Sequence, residues 1–129
     1  VLVTGHDTPT NGDIVLAYDG SPQAKKALRV CADFATHNAR KMRVLVVGGE
    51  EDAALLEETR NYLQNRDINV EYTRRDGEPG AEIVSFAADC NAGIIIMGAY
   101  GHNKLRELVL GSTTSHTINH APCPVLLIR

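Results

Sequence analysis

The chain has 129 residues, no Trp and a formal net charge of −3. That length fits one domain with a core of ordinary size, and the mild acidity gives no support to a nucleic-acid or membrane-surface role. No apolar run approaches the roughly 20 residues of a transmembrane helix, and the odd, widely spaced Cys31, Cys90 and Cys123 point to reduced thiols in a cytoplasmic protein rather than a disulfide framework.

The chain opens on an apolar run, Val1-Leu2-Val3, followed by HDTPTNGD over residues 6–13, a turn or linker by composition. Five short apolar runs then read as strands: Ile14–Tyr18, Val44–Val47, Ile68–Tyr72, Ile94–Met97 and Val125–Ile128. Helical patterns separate them. Ser21-Pro22 supplies an N-cap and a Pro at the first helical position, with Ala24, Ala27, Leu28, Cys31, Ala32 and Ala35 at helical spacing behind it. Leu55, Leu56, Thr59, Tyr62 and Leu63 form a second stripe. Ile83, Val84, Ala87 and Ala88 form a third, opened by Glu78-Pro79-Gly80. A fourth helix is expected from Ser112 to before Pro122. His37 is expected to flank the end of the first.

Strict alternation of strand and helix predicts an α/β fold with a parallel sheet and right-handed crossovers. Strands covered on both faces stay apolar throughout, whereas an exposed edge alternates. The third run alternates (Ile68, Asn69, Val70, Glu71, Tyr72), so it is expected at an edge. Counting the five runs in chain order, this favours 3-2-1-4-5 over the flavodoxin-like 2-1-3-4-5. The fifth run would then be the other edge, yet it is wholly apolar, so it is expected to pair with a further strand.

In an open sheet of that order the ligand crevice lies beyond the carboxyl ends of the first and fourth strands. The first ends in Asp19-Gly20-Ser21 and the fourth in Gly98-Ala99-Tyr100-Gly101. A glycine at Gly98 would let backbone approach a ligand, and Gly101 would permit a tight turn. Gly111, Ser112 and Thr113 would present a helix N-terminus with free amides, suited to phosphate. Asp19 is an acceptor for a ribose hydroxyl, an adenine amino group or a water on Mg²⁺. Lys104 and Arg106 lie between these glycines and could face outer phosphates.

Gly98-x-x-Gly101, nine residues and then Gly111-Ser112 resembles the nucleotide-binding signature of the universal stress protein family. Tyr18-Asp19-Gly20-Ser21 and the tail His120-Ala121-Pro122-Cys123-Pro124-Val125-Leu126 are similar to that family too, and the resemblance spans Asp13–Arg129. It implies the 3-2-1-4-5 Rossmann-like sheet, a dimer through the last strand and binding of ATP or AMP. By motif, Asp19 would contact the nucleoside and the backbone near Val47 would read the adenine edge. Met97, Gly98 and Gly101 would flank ribose and phosphates, and Gly111, Ser112 and Thr113 would hold the phosphates. The side chains Ala99, Tyr100 and His102 depart from the family's common polar choices, and the connection over residues 48–52 is short.

The expectation is therefore an ATP-binding (or ADP- or AMP-binding) stress-response or regulatory domain, with Mg²⁺ as a candidate companion. The alternatives are a dimeric interaction module with an empty pocket and, more remotely, a hydrolase or transferase of an adenylated substrate. No general base suits hydrolysis beyond Glu107 or His102, so at most slow turnover is expected. Residues 13–129 are expected to form the nucleotide-binding domain. Val1-Leu2-Val3 reads as a second copy of Val125-Leu126-Leu127. Residues 1–12 would then be a linker and the last strand of a preceding homologous domain, pairing antiparallel with strand 124–128. His116 and His120 are four apart on the fourth helix, but no third ligand accompanies them and no metal site is expected.

Overall fold

The computed structural model describes residues 12–99 and 111–129, and the strand backbone of residues 2–4. Their elements are β1 (Leu2–Thr4), β2 (Ile14–Ala17), α1 (Pro22–Asn38), β3 (Met42–Val47), a short 3₁₀ turn (Glu50–Asp52), α2 (Ala53–Leu63), β4 (Val70–Arg75), α3 (Pro79–Asp89), β5 (Ile94–Gly98), α4 (Ser112–His120) and β6 (Val125–Ile128). One sheet runs in the order β1-β6-β5-β2-β3-β4. Pairing is parallel from β6 to β4. This is the expected 3-2-1-4-5 arrangement with one antiparallel strand added, since β1 pairs with β6.

The central strands are the ones without polar interruption. Ile14, Val15, Leu16, Ile95 and Ile96 are fully buried, as strands covered on both faces must be. One face carries α1 and α2, and its core includes Leu16, Ala27, Cys31, Val44 and Ile96. The other carries α3 and α4 over Val15, Leu45, Ile95, Met97 and Leu127. Alanines at 24, 27, 32 and 35 and Cys31 make up most of the buried stripe of α1, so a helix with almost no side-chain bulk lies close on the sheet. Burial pushes the Cys31 thiol well above its ordinary range. All three cysteines are free.

The edge strand departs from the expected frame. β4 begins at Val70 and runs to Arg75, not from Ile68 to Tyr72, because it pairs along the whole of β3, down to Val47↔Arg75. Its charged residues are held from neighbouring elements. Glu71 bonds Lys41 and Arg43 at 2.7 Å each, and Arg75 reaches Asp89 at 3.2 Å while lying over the Phe86 ring. Such charges also discourage pairing with a foreign strand. His37 sits in the last turn of α1, its Nδ1 2.8 Å from the Asp33 carbonyl oxygen.

Candidate functional site

The strand order reverses between β2 and β5, and a cavity of about 340 Å³ opens at their carboxyl ends. Small-molecule sites in proteins run from roughly 300 to 1,000 Å³. Its floor is apolar: Ala17, Leu45, Val47 and Met97 come from strand ends, Pro79 and Ile83 from the first turns of α3. Polar groups sit at its sides, with Tyr18 and Asp19 after β2, Gly98 closing β5, and Gly111, Ser112 and Thr113 at the start of α4. Asp19, Val47, Met97, Gly98, Gly111, Ser112 and Thr113 thus line one space. Gly101 lies outside the described residues, as do His102, Lys104, Arg106 and Glu107. The wall made by α3 has no mark in the local sequence: Pro79 reads as a helix opener, and nothing nearby says that this helix packs beside α4.

Three helices start at or next to this cavity, and their first turns differ. At α1 the Ser21 hydroxyl accepts from the Ala24 amide at 3.1 Å, and Asp19 Oδ1 accepts from the Ser21 amide at 3.0 Å. At α3 the Glu78 carboxylate accepts from the Gly80 and Ala81 amides at 3.2 and 2.7 Å. Those bonds hold its carboxyl below the usual range. At α4 the N-cap is Gly111, not Ser112, in an extended conformation, and among the described residues no side chain caps the helix. A helix leaves its first amides without internal partners, so α4 turns its positive end to the cavity with no cap among the described residues, while α1 and α3 carry side-chain caps. One residue further in, Thr114 is fully buried and its hydroxyl has no hydrogen-bond partner among the described residues.

Two local conformations shape the rim. Gly20 turns the chain at φ +79°, a region other residues rarely adopt, and Leu55 of α2 lies against it. Gly98, which lines the cavity, is also required by packing. A Cβ there would meet the Ala24 nitrogen and the Gln23 carbonyl carbon, each at 2.7 Å. The bare position admits the first turn of α1.

Tyr18 is nearly buried, and its phenol is pushed up to about 12, first by burial and then by the Glu58 and Asp19 carboxylates. It is therefore a neutral hydroxyl at physiological pH. Asp19 is the one carboxylate among the described lining residues. Because Oδ1 is tied to Ser21, Oδ2 is the oxygen left to accept from a ligand. The arrangement offers an apolar slot, an acceptor at one end and uncapped amides with two hydroxyls at the other. No group of three or more His, Cys, Asp or Glu suited to a metal occurs among the described residues, and no described helix is long and apolar enough to cross a membrane.

The model of the universal stress protein family matches residues 46–129. A universal stress protein of Thermus aquaticus is 32% identical over 133 residues, covering 90% of this chain and 97% of that protein. Another, from Synechocystis, is 29% identical and covers 99% of this chain, which spans only 46% of the relative's length. Among solved structures, the Archaeoglobus fulgidus universal stress protein in complex with dAMP superposes with a TM-score of 0.75 at 24% identity, covering 92% of this chain and 98% of that one. An Arabidopsis thaliana family member with AMP bound gives 0.68 at 19%, covering 91% and 90%. These two likenesses establish the fold. With the matched model spanning well over half its length, the chain belongs to the universal stress protein family.

Proposed function

We propose that the cavity binds an adenine nucleotide and that the domain serves a cytoplasmic stress response by responding to it. The observation that carries this reading is the α4 N-terminus, which no described side chain caps, opposite an apolar slot in which Asp19 is the one carboxylate among the described lining residues. The solved relatives that hold dAMP and AMP support the choice of ligand. In this reading Asp19 Oδ2 accepts from the nucleoside, and the backbone at Val47 reads the adenine edge. Met97 and Gly98 flank the ribose. The amides and hydroxyls of Ser112 and Thr113, behind Gly111, take the phosphates. ATP, ADP and AMP share the nucleoside and first phosphate that these groups address. Gly101 and any Mg²⁺ would belong to the outer phosphates. Calorimetric titration with AMP, ATP and GMP tests it. Saturable binding of the adenine nucleotides is expected, with GMP weaker, and heat-denatured protein is expected to release bound adenine nucleotide. No binding by any of them refutes it.

We also propose that residues 1–12 are a linker and the last strand of a preceding homologous domain, and that 13–129 is the nucleotide domain. The pairing register supports this. Val1-Leu2-Val3-Thr4 aligns with Val125-Leu126-Leu127-Ile128. In that alignment the observed pairs Leu2↔Leu127 and Val3↔Leu126 become 126 with 127 and 127 with 126. Thr4↔Val125 becomes 128 with 125. That is the self-complementary register of a two-fold axis. A second copy of strand 124–128 would fit the place β1 fills, giving a tandem pseudo-dimer or a homodimer. Deleting residues 1–11 bares the apolar edge of β6, and sedimentation is expected to show a dimer where the full chain is monomeric. A truncated protein that stays monomeric contradicts the proposal.

A further inference from the structure

Two consecutive peptide units at the end of β3 are pinned from the edge strand β4. The Gly48 amide donates to the Arg75 carbonyl at 2.9 Å, one step past the last ladder pair, Val47↔Arg75. The Gly48 carbonyl accepts from Arg74 Nη1 at 3.0 Å, and the same nitrogen donates to Asp76 Oδ1 at 3.1 Å. Arg74 and Arg75 are neighbours on a strand, so their side chains leave opposite faces of the sheet. Arg75 is occupied by Glu82 and Asp89 of α3, which leaves Arg74 to the turn after β3.

That turn needs holding. Gly48 and Gly49 in succession leave its backbone unusually free. Asp52 folds its carboxylate over Gly48, where an added Cβ would land on it, so no larger residue can stiffen that position. A hydrogen bond from a charged donor is roughly twice as strong as a neutral one, and the Arg74 side chain is only 28% exposed. Its bond to the Gly48 carbonyl supplies the stiffness that two glycines lack.

The effect reaches the cavity through the peptide plane. In a planar trans peptide the C=O and N–H point in opposite directions. With the Gly48 N–H turned to β4, the Val47 C=O points to the β2 side. β2 offers it no rung, since the last pair of those strands is Ala17↔Leu45 and the Tyr18 amide goes to the Leu45 carbonyl at 3.0 Å. The Val47 carbonyl thus stands past the end of β2, where Val47 lines the cavity. A fixed acceptor there suits the exocyclic amino group of adenine, a donor, and opposes O6 of guanine, an acceptor.

We propose that Arg74 is a positioning residue for base selectivity: by holding the Gly48 carbonyl it fixes the direction of the Val47 carbonyl, which then accepts from an adenine amino group and turns guanine away. This rests on the nucleotide reading above and adds to it the group that sets the choice of base.

The test measures the affinities of AMP, GMP and ribose 5-phosphate for the wild type and Arg74→Met by NMR titration. The variant keeps the apolar stem of the side chain and loses its donors. The preference for AMP over GMP is expected to shrink roughly tenfold, the scale of one hydrogen bond to a charged group. Ribose 5-phosphate, which has no base, is expected to bind both proteins alike, which general damage to the site would not allow. Arg74→Thr, suited to an edge strand, gives the same comparison should the Met variant not fold. A preference unchanged in the folded variant overturns the role of Arg74 and leaves the nucleotide site standing. A fall in ribose 5-phosphate affinity as large as the fall for AMP also overturns it, because the loss would not be at the base. So does wild-type protein that binds AMP and GMP equally. Wild-type protein that binds neither nucleotide overturns both readings.

Discussion

Gly98→Val is expected to destabilise the domain by about 3 kcal/mol, at the upper end of the range for overpacking. The added Cβ meets backbone of α1 at 2.7 Å, and backbone cannot rotate away as the end of a side chain can. The strand cannot retreat either. β5 is held on both sides, by β2 through Ala17↔Met97 and by β6 through Gly98↔Ile128. The branched Cγ atoms deepen the clash. Urea unfolding followed by circular dichroism reads the effect as a lower midpoint. A midpoint within error of wild type would mean that α1 is not seated on β5 as described. Loss of nucleotide in this variant would say nothing about ligand contact, because the fold itself is under strain.

Gly111→Asp is expected to separate binding from stability, with opposite signs. Gly111 has φ −64° and ψ 163°, the extended conformation of an ordinary N-cap, so an L residue is accepted there without backbone strain. Asp is among the best N-caps, and relative to Gly it gains a few tenths of a kcal/mol. The thermal midpoint is expected to hold or rise slightly. Its carboxylate would take the amides that a phosphate would use and would repel the phosphate as well. AMP affinity is expected to fall at least tenfold, about 1.4 kcal/mol. Calorimetry on folded protein gives the number. A variant that keeps wild-type affinity would remove α4 from the site.

Much of this architecture was legible in the sequence because the signals were local. Uninterrupted apolar runs marked the strands covered on both faces, and Ser21-Pro22 marked the start of α1. The alternation in Ile68–Tyr72 put that run at an edge, and the unbroken Val125–Ile128 demanded a partner, which β1 supplies. The features the sequence does not show depend on residues distant along the chain. Arg74 and Arg75 look like loop residues, yet they continue β4, because Val46 and Val47 offer a ladder and Glu82, Asp89 and Phe86 of α3 surround the Arg75 guanidinium. Gly98 carries a packing role besides its place in the cavity lining, because Gln23 and Ala24 press on its bare Cα, and only the folded chain brings them near. Pro79 and Ile83 line the cavity because α3 packs on α4 through Gly80 and His116, a pairing with no sequence signature. Of the glycine signature, Gly98 and Gly111 line the cavity, and Gly101 falls outside the described residues.

Anion capture by the bare amides of α4 can be watched residue by residue. In ¹⁵N-labelled protein titrated with AMP, the Ser112 and Thr113 amide resonances are expected to shift together and saturate at a common dissociation constant, with Val47 and Met97 following the same curve. Shifts confined to other surfaces, or an AMP titration that leaves Ser112 and Thr113 unmoved, would contradict the account.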